Sequence, residues 1–349
     1  MTETPSDLTT DAHFARLYDE DLRAFACHAD TPAALRAWAE AARPAFRRLL
    51  GLSRMAEELD GHVPAVTLDA ETDAGDWFAA RGCIATEPGL SIPFRLLRPK
   101  NPGPHPIALC PHGHARYGMD VAAGLPTDDC PAERIAAEDR DVAVQAVRRG
   151  YLAIAPTTRG FAPVDMPDRT GRHGGSDCRS WMLHALLAGR VLMGERAWDM
   201  ERLLDWAVAR PDTDPTRVLV LGNSAGGLVT LYAAACDIRI TDAVASCCVA
   251  RFVRDDGAVQ HCDCDVVPGM LRWGEMQEVG GLVAPRRLLV VHGDADPLFE
   301  AAPRDEAVDG IRRIYAAAGA PEAFAARIGR GGHRFYADLM WPFLDAAKG

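Results

Sequence analysis

The spacing of apolar positions along this chain changes character twice. Up to about residue 60 it is helical. Phe14, Leu17, Tyr18, Leu22 and Phe25 fall on one face, and Leu35, Trp38, Ala42, Phe46, Leu49 and Leu50 on another, where Pro44 is expected to introduce a kink. From Val63 short runs of strand length take over, at Val66–Leu68, Trp77–Ile84 and Ser91–Leu97. The turn Glu87-Pro88-Gly89 joins the last two and predicts antiparallel pairing. Beyond it the rhythm is strand–helix–strand. Strands are expected at Pro106–Cys110, Tyr151–Ala155, Arg217–Leu221, Asp242–Ala245, Leu288–Val291 and Phe324–Ile328. Helices are expected at Val142–Val147 and Glu195–Ala209, the latter closed by Asp212-Thr213-Asp214-Pro215. Such alternation predicts an α/β architecture: a mostly parallel central sheet of about eight strands with helices on both faces.

The same pattern suggests two regions. Residues 1–60 form an N-terminal helical extension, which either covers the main domain or serves a homo-oligomer contact, since an amphipathic face suits both. Residues 61–349 form one large domain. Two stretches, 157–192 and 249–285, break the alternation after strand ends, where ligand loops of open α/β sheets sit. They are expected to be the walls or lid of a pocket.

Composition narrows the class. At 349 residues, 48% hydrophobic and 25% charged, the chain is an ordinary globular protein with enough core to need no staples. A net charge of −11 argues against nucleic acid or an anionic membrane as partner and leaves a small molecule. No apolar run reaches the ~18 residues of a membrane span. The polar start lacks the basic and apolar regions of a secretion signal, and the ten cysteines follow no regular framework. Reduced thiols in the cytoplasm are the expectation.

The candidate chemistry centres on Gly222-Asn223-Ser224-Ala225-Gly226. It follows the strand Arg217–Leu221 and leads directly into the helix-forming run Gly227–Ala235. Strand, sharp turn and helix form the context of a nucleophile elbow, in which a serine is held in a strained conformation at a helix start. A serine hydroxyl needs a base and a group to orient that base. Both occur after later strands. His292-Gly293-Asp294-Ala295-Asp296-Pro297 offers two acids, of which Asp296 is favoured, with Asp294 left to shape the turn. Gly329-Arg330-Gly331-Gly332-His333 offers the base, His333. The oxyanion hole is expected from the backbone N–H of Ala225 and, in the loop Pro111-His112-Gly113-His114, that of His114. His112, Arg159, Trp181 and Trp273 are the side chains expected to line the pocket. Trp198 and Trp206, in a regular helix, read as core.

Two groupings invite a metal reading. His112 and His114 flank one glycine, and His261-Cys262-Asp263-Cys264-Asp265 puts five ligand types in a row. The paired Cys-x2-Cys spacing of zinc sites is absent, so the second is read as a polarisable loop near the pocket and no metal is expected.

Taken together these segments resemble the α/β-hydrolase superfamily, and within it the dienelactone-hydrolase-like and acetyl-xylan-esterase-like bacterial serine hydrolases. The resemblance is carried from about residue 80 onward. Its segments are His112-Gly113-His114, Arg159-Gly160-Phe161, Gly194–Asp199, Gly222–Gly227, Cys262–Gly269, Ala284-Pro285-Arg286 and Gly332-His333-Arg334-Phe335. It implies an α/β-hydrolase fold, a Ser224–Asp296–His333 triad, no cofactor, and hydrolysis of small acyl esters such as acetyl on a sugar or other polar alcohol. Serine stands where dienelactone hydrolases proper use cysteine. A peptidase, amidase or lactonase would use the same three residues, and a non-catalytic binding protein could keep the fold alone.

Overall fold

The computed structural model describes residues 9–346. Ten strands share one sheet: β1 (Val66–Leu68), β2 (Thr72–Asp73), β3 (Trp77–Glu87), β4 (Leu90–Pro99), β5 (His105–Leu109), β6 (Leu152–Pro156), β7 (Thr213–Asn223), β8 (Asp242–Ser246), β9 (Arg287–Gly293) and β10 (Phe324–Gly329). Their spatial order is β1-β3-β4-β6-β5-β7-β8-β9-β10, with β2 beside β3. Pairs up to β4–β6 are antiparallel, as the Pro88-Gly89 turn implies, and all pairs from β6–β5 onward are parallel. The chain runs outward from β5 to β6 and then returns across β5 to lay down β7. That reversal makes the carboxyl ends of β5 and β7 the crevice where a ligand fits.

Side chains of β7 show how the sheet divides the core. Val218 and Val220 belong to one hydrophobic cluster, and Leu219 and Leu221 to the other, as the two-residue period of a strand requires. The first cluster takes in the helices Pro32–Leu49, Leu192–Val208, Ala225–Cys236 and Ala301–Ala317; the second takes in Val142–Val147 and Ala337–Asp345.

Four elements depart from expectation. The first helix covers only Thr10–Leu17 and buries none of its residues, leaving Phe14 and Leu17 exposed. Asp19 caps a following 3₁₀ turn, and the Ala24 and Phe25 N–H groups donate to the carbonyls of Arg272 and Trp273. Backbone pairing with a distant segment thus overrides a helical spacing that would have continued to Phe25. The second helix runs unbroken through Pro44. The segment expected to close the helix before β7 is instead extended: Thr213 and Asp214 pair with His105 and Pro106 before a register shift. The helix Ala301–Ala317 was not among the expected elements, although Ala307, Val308, Ile311, Ile314 and Tyr315 bury one face of it.

Candidate active site

β7 ends at Asn223, and Ser224 follows with φ 60° and ψ −130°, a left-handed conformation that a non-glycine residue adopts only when its surroundings enforce it. Two glycines make that possible. A Cβ on Gly222 would lie 2.2 Å from the Gly226 carbonyl oxygen, and one on Gly226 would lie 2.4 Å from that of Pro111. The turn is therefore packed backbone to backbone, both within itself and against the loop after β5. Ser224 is held at the mouth of the helix Ala225–Cys236, whose positive end favours negative charge there.

Nδ1 of His333 lies 2.9 Å from Oδ2 of Asp296, and the Asp296 side chain is fully buried. Burial alone would raise the Asp296 pKa. Hydrogen bonds from His333 and from the Leu298 N–H outweigh it and hold the carboxyl below its ordinary value, so it stays ionised. Asp294 does a different job, accepting the Gly331 N–H at 2.8 Å. This lashes the loop after β10 to the loop after β9, and Gly293 allows the close approach, since a Cβ there would meet the Gly331 carbonyl at 2.3 Å. Phe299 stacks on the His333 ring at 6.0 Å between centroids. Nε2 of His333 is buried without a hydrogen-bond partner, and the imidazole lines the same cleft as Ser224. No hydrogen bond joins it to the serine hydroxyl, a bond that commonly tightens only around substrate.

That cleft encloses about 330 Å³ and is walled by Pro111–Ala115, Asn223, Leu298 and Phe335, with Arg134 and Arg140 among its lining. A larger hollow of about 720 Å³ lies between the first helix and residues 251–257, with none of these groups in it. Neither the Ala225 N–H nor the His114 N–H is taken up by a hydrogen bond within the protein. His112 is buried, which lowers its pKa to about 4 and leaves a neutral ring. The Thr158 N–H donates to its Nε2, so Nδ1 carries the proton and donates to the Gly113 carbonyl at 2.8 Å. His112 thereby braces the loop that carries His114.

Known proteins share the fold and parts of the sequence. Residues 136–254 match the sequence profile of the acetyl xylan esterase (AXE1) family. YtaP of Bacillus subtilis strain 168, a protein assigned as a hydrolase, is 26% identical over 249 residues, 69% of this chain and 77% of its own. A solved structure from Bacteroides fragilis NCTC 9343, assigned as an acetyl xylan esterase, superposes with a TM-score of 0.81 at 16% identity, covering 99% of this chain and 97% of that one. The methylesterase BT1017 gives a TM-score of 0.69 at 19% identity over 97% of this chain and 69% of its own. The chain has the α/β-hydrolase fold and is a carboxylic ester hydrolase.

Not every residue expected to line the esterase pocket reaches it. Arg159 is 1% exposed and forms a two-pronged pair with Asp199, both bonds at 2.6 Å, with Glu87 at 2.5 Å on its other side. A charge so buried and so paired belongs to the frame of the esterase, not to its cleft. Trp181 donates its Nε1–H to Glu195 at 2.8 Å and packs against the core. Trp273 is buried against Phe46, 4.6 Å between centroids, and stacks on Phe25. Of the four, His112 alone lies at the cleft. Sequence reasoning missed Arg134 and Arg140, which carry no motif.

The loop Cys262–Asp265 does come near the cleft, but with company. His114 Nε2 is 3.2 Å from Cys262 Sγ and 3.5 Å from Cys264 Sγ, and Cys178 joins them from the other wall. Linear spacing gave no sign of Cys178, because a helix distant in the chain, Asp177–Leu187, supplies it. Among the described residues no helix of the esterase is long and apolar enough to cross a membrane.

Proposed function

We propose that Ser224 is the nucleophile of this esterase, with His333 as its base and Asp296 holding the imidazole. Ser224 attacks the ester carbonyl while Nε2 of His333 takes its proton. The N–H groups of Ala225 and His114 receive the oxyanion, and His333 returns the proton to the leaving alcohol. Water, activated by the same imidazole, then releases the acid from the acyl-enzyme. The observation that carries this reading is the strained Ser224 turn opening into the cleft that also receives an unpartnered Nε2, whose opposite ring nitrogen is anchored on an ionised, buried Asp296.

The preferred substrate in this proposal carries a small acyl group, acetyl above all, on a sugar or other polar alcohol. The small cleft volume and the acetyl xylan esterase profile support it. We place the enzyme in the cytoplasm, in keeping with ten cysteines that are all unpaired. Exposed Phe14, Leu17 and Leu22 mark the N-terminal segment as its surface for self-association.

Replacing Ser224 with alanine is expected to abolish turnover of p-nitrophenyl acetate and covalent labelling by a fluorophosphonate, with the circular dichroism spectrum unchanged. Full residual turnover in a folded Ser224→Ala protein would remove Ser224 from the mechanism. A panel of acetylated sugars, aryl esters, lactones and amides then ranks the substrate classes.

A further inference from the structure

Beside the cleft, three segments that are far apart in the chain each send a sulfur or a ring nitrogen to one point. The Sγ atoms of Cys178, Cys262 and Cys264 and a ring nitrogen of His114 all lie within 4.8 Å of one another. Zinc held by thiolates at about 2.3 Å and imidazole at about 2.0 Å keeps tetrahedral ligand atoms roughly 3.5–3.8 Å apart, the scale seen here. No two of the sulfurs are bonded as a disulfide.

Each ligand is placed by its own element. Cys262 and Cys264 flank the start of a 3₁₀ turn, Asp263–Asp265, which brings their sulfurs to one side. Cys178 is the second residue of the helix Asp177–Leu187, where the unsatisfied N–H groups favour a thiolate. The ring of His114 sits edge-on to Phe161 at 4.9 Å, on the far side of the oxyanion loop. Behind the cluster lies Arg196, fully buried, with Nη1 and Nη2 each 3.5 Å from Cys264 Sγ and Nη1 2.9 Å from Asp265. Three thiolates around a divalent ion leave one net negative charge, and a guanidinium against one sulfur is the outer contact such a site needs.

We propose that Cys178, Cys262, Cys264 and His114 bind one zinc ion in a closed tetrahedral site. Thiolate sulfur with one imidazole selects zinc over magnesium or calcium, which take oxygen. All four positions are filled by protein, leaving none for water or substrate, so the ion is structural. It clips the wall segments around residues 178 and 264 to the loop after β5. In doing so it holds His114, whose main-chain N–H is the second oxyanion donor of the mechanism proposed above. The ion touches neither Ser224 nor His333, and no step assigned to them passes through it.

The test uses the full chain without an affinity tag. Elemental analysis of the purified protein is expected to find about one zinc per chain. Chelation under denaturing conditions and refolding with cobalt(II) should give an intense visible spectrum and a near-ultraviolet thiolate-to-cobalt band. Cys262→Ser, on the solvent side of the cluster, should lose most of the zinc and weaken that band while remaining folded. Should the variant not fold, the wild-type cobalt spectrum decides alone. Three results would overturn the proposal: no bound zinc together with no cobalt band, unchanged zinc content in Cys262→Ser, or two fewer titratable thiols in denaturant than the ten in the sequence, which would mean a disulfide.

Discussion

Asp294 and Asp296 stand two residues apart on one loop, and their partners divide the work between them. Asp296 holds His333 and is kept ionised, whereas Asp294 accepts a main-chain N–H from Gly331. Asp296→Asn should therefore lower kcat on p-nitrophenyl acetate by roughly 10³–10⁴-fold with little change in KM, since an amide favours the wrong imidazole tautomer. Asp294→Asn keeps an acceptor oxygen and should stay within about tenfold of wild type. Equal losses in the two variants would refute the assignment. That Asp296 and not Asp294 sits beside His333 was legible in the sequence, because the strand, the glycine and the proline fix how far each can reach. The role of Arg159 was not, because an arginine after a strand reads the same whether it faces a ligand or a buried carboxylate. Only the fold sets Asp199 and Glu87 around it.

At the scale of elements, that arginine ties the loop after β6 to the end of β3 and to the helix Leu192–Val208. Glu87 and Glu195 are shared with Arg190, and Trp181 closes on Glu195, so several charges form one network at the back of the pocket wall. Arg159→Met should destabilise the protein by roughly 3–5 kcal/mol, because Asp199 would be left buried without its countercharge while Glu87 keeps Arg190. Adding Asp199→Leu to that background should recover part of the loss. Urea unfolding of the single and double variants measures both, and strictly additive losses would show that the pair is not coupled. Strand positions were legible, since buried parallel strands are continuous apolar runs. Helix ends in the N-terminal segment were not. There the periodicity continues past Leu17, but hydrogen bonds to Arg272 and Trp273 take the backbone instead, and a pattern of side chains carries no record of them.

For the molecule as a whole, the same segment links its stability to pH. The short helix Met270–Trp273 that receives Ala24 and Phe25 leads into Glu275, 2% exposed, whose carboxylate accepts the N–H groups of Phe252 and Met276 and faces Arg23 and Glu278. Burial dominates and pushes Glu275 up to about 7 from an ordinary 4.5, against the pull of those N–H groups and Arg23. Between those two values the unfolded chain has lost the proton that the folded chain keeps. Folding is therefore favoured by this group below about pH 4.5, and the contribution disappears as pH rises through about 7. Glu275→Gln removes the titration while keeping an acceptor for both N–H groups. The variant should thus gain on the order of 2 kcal/mol relative to wild type when urea unfolding at pH 8 is compared with pH 5. A difference between the two proteins that is the same at both pH values would show that Glu275 is ionised throughout. In that case the contact between the N-terminal segment and residues 249–285 would contain a stable buried carboxylate, supported by Arg23 across it.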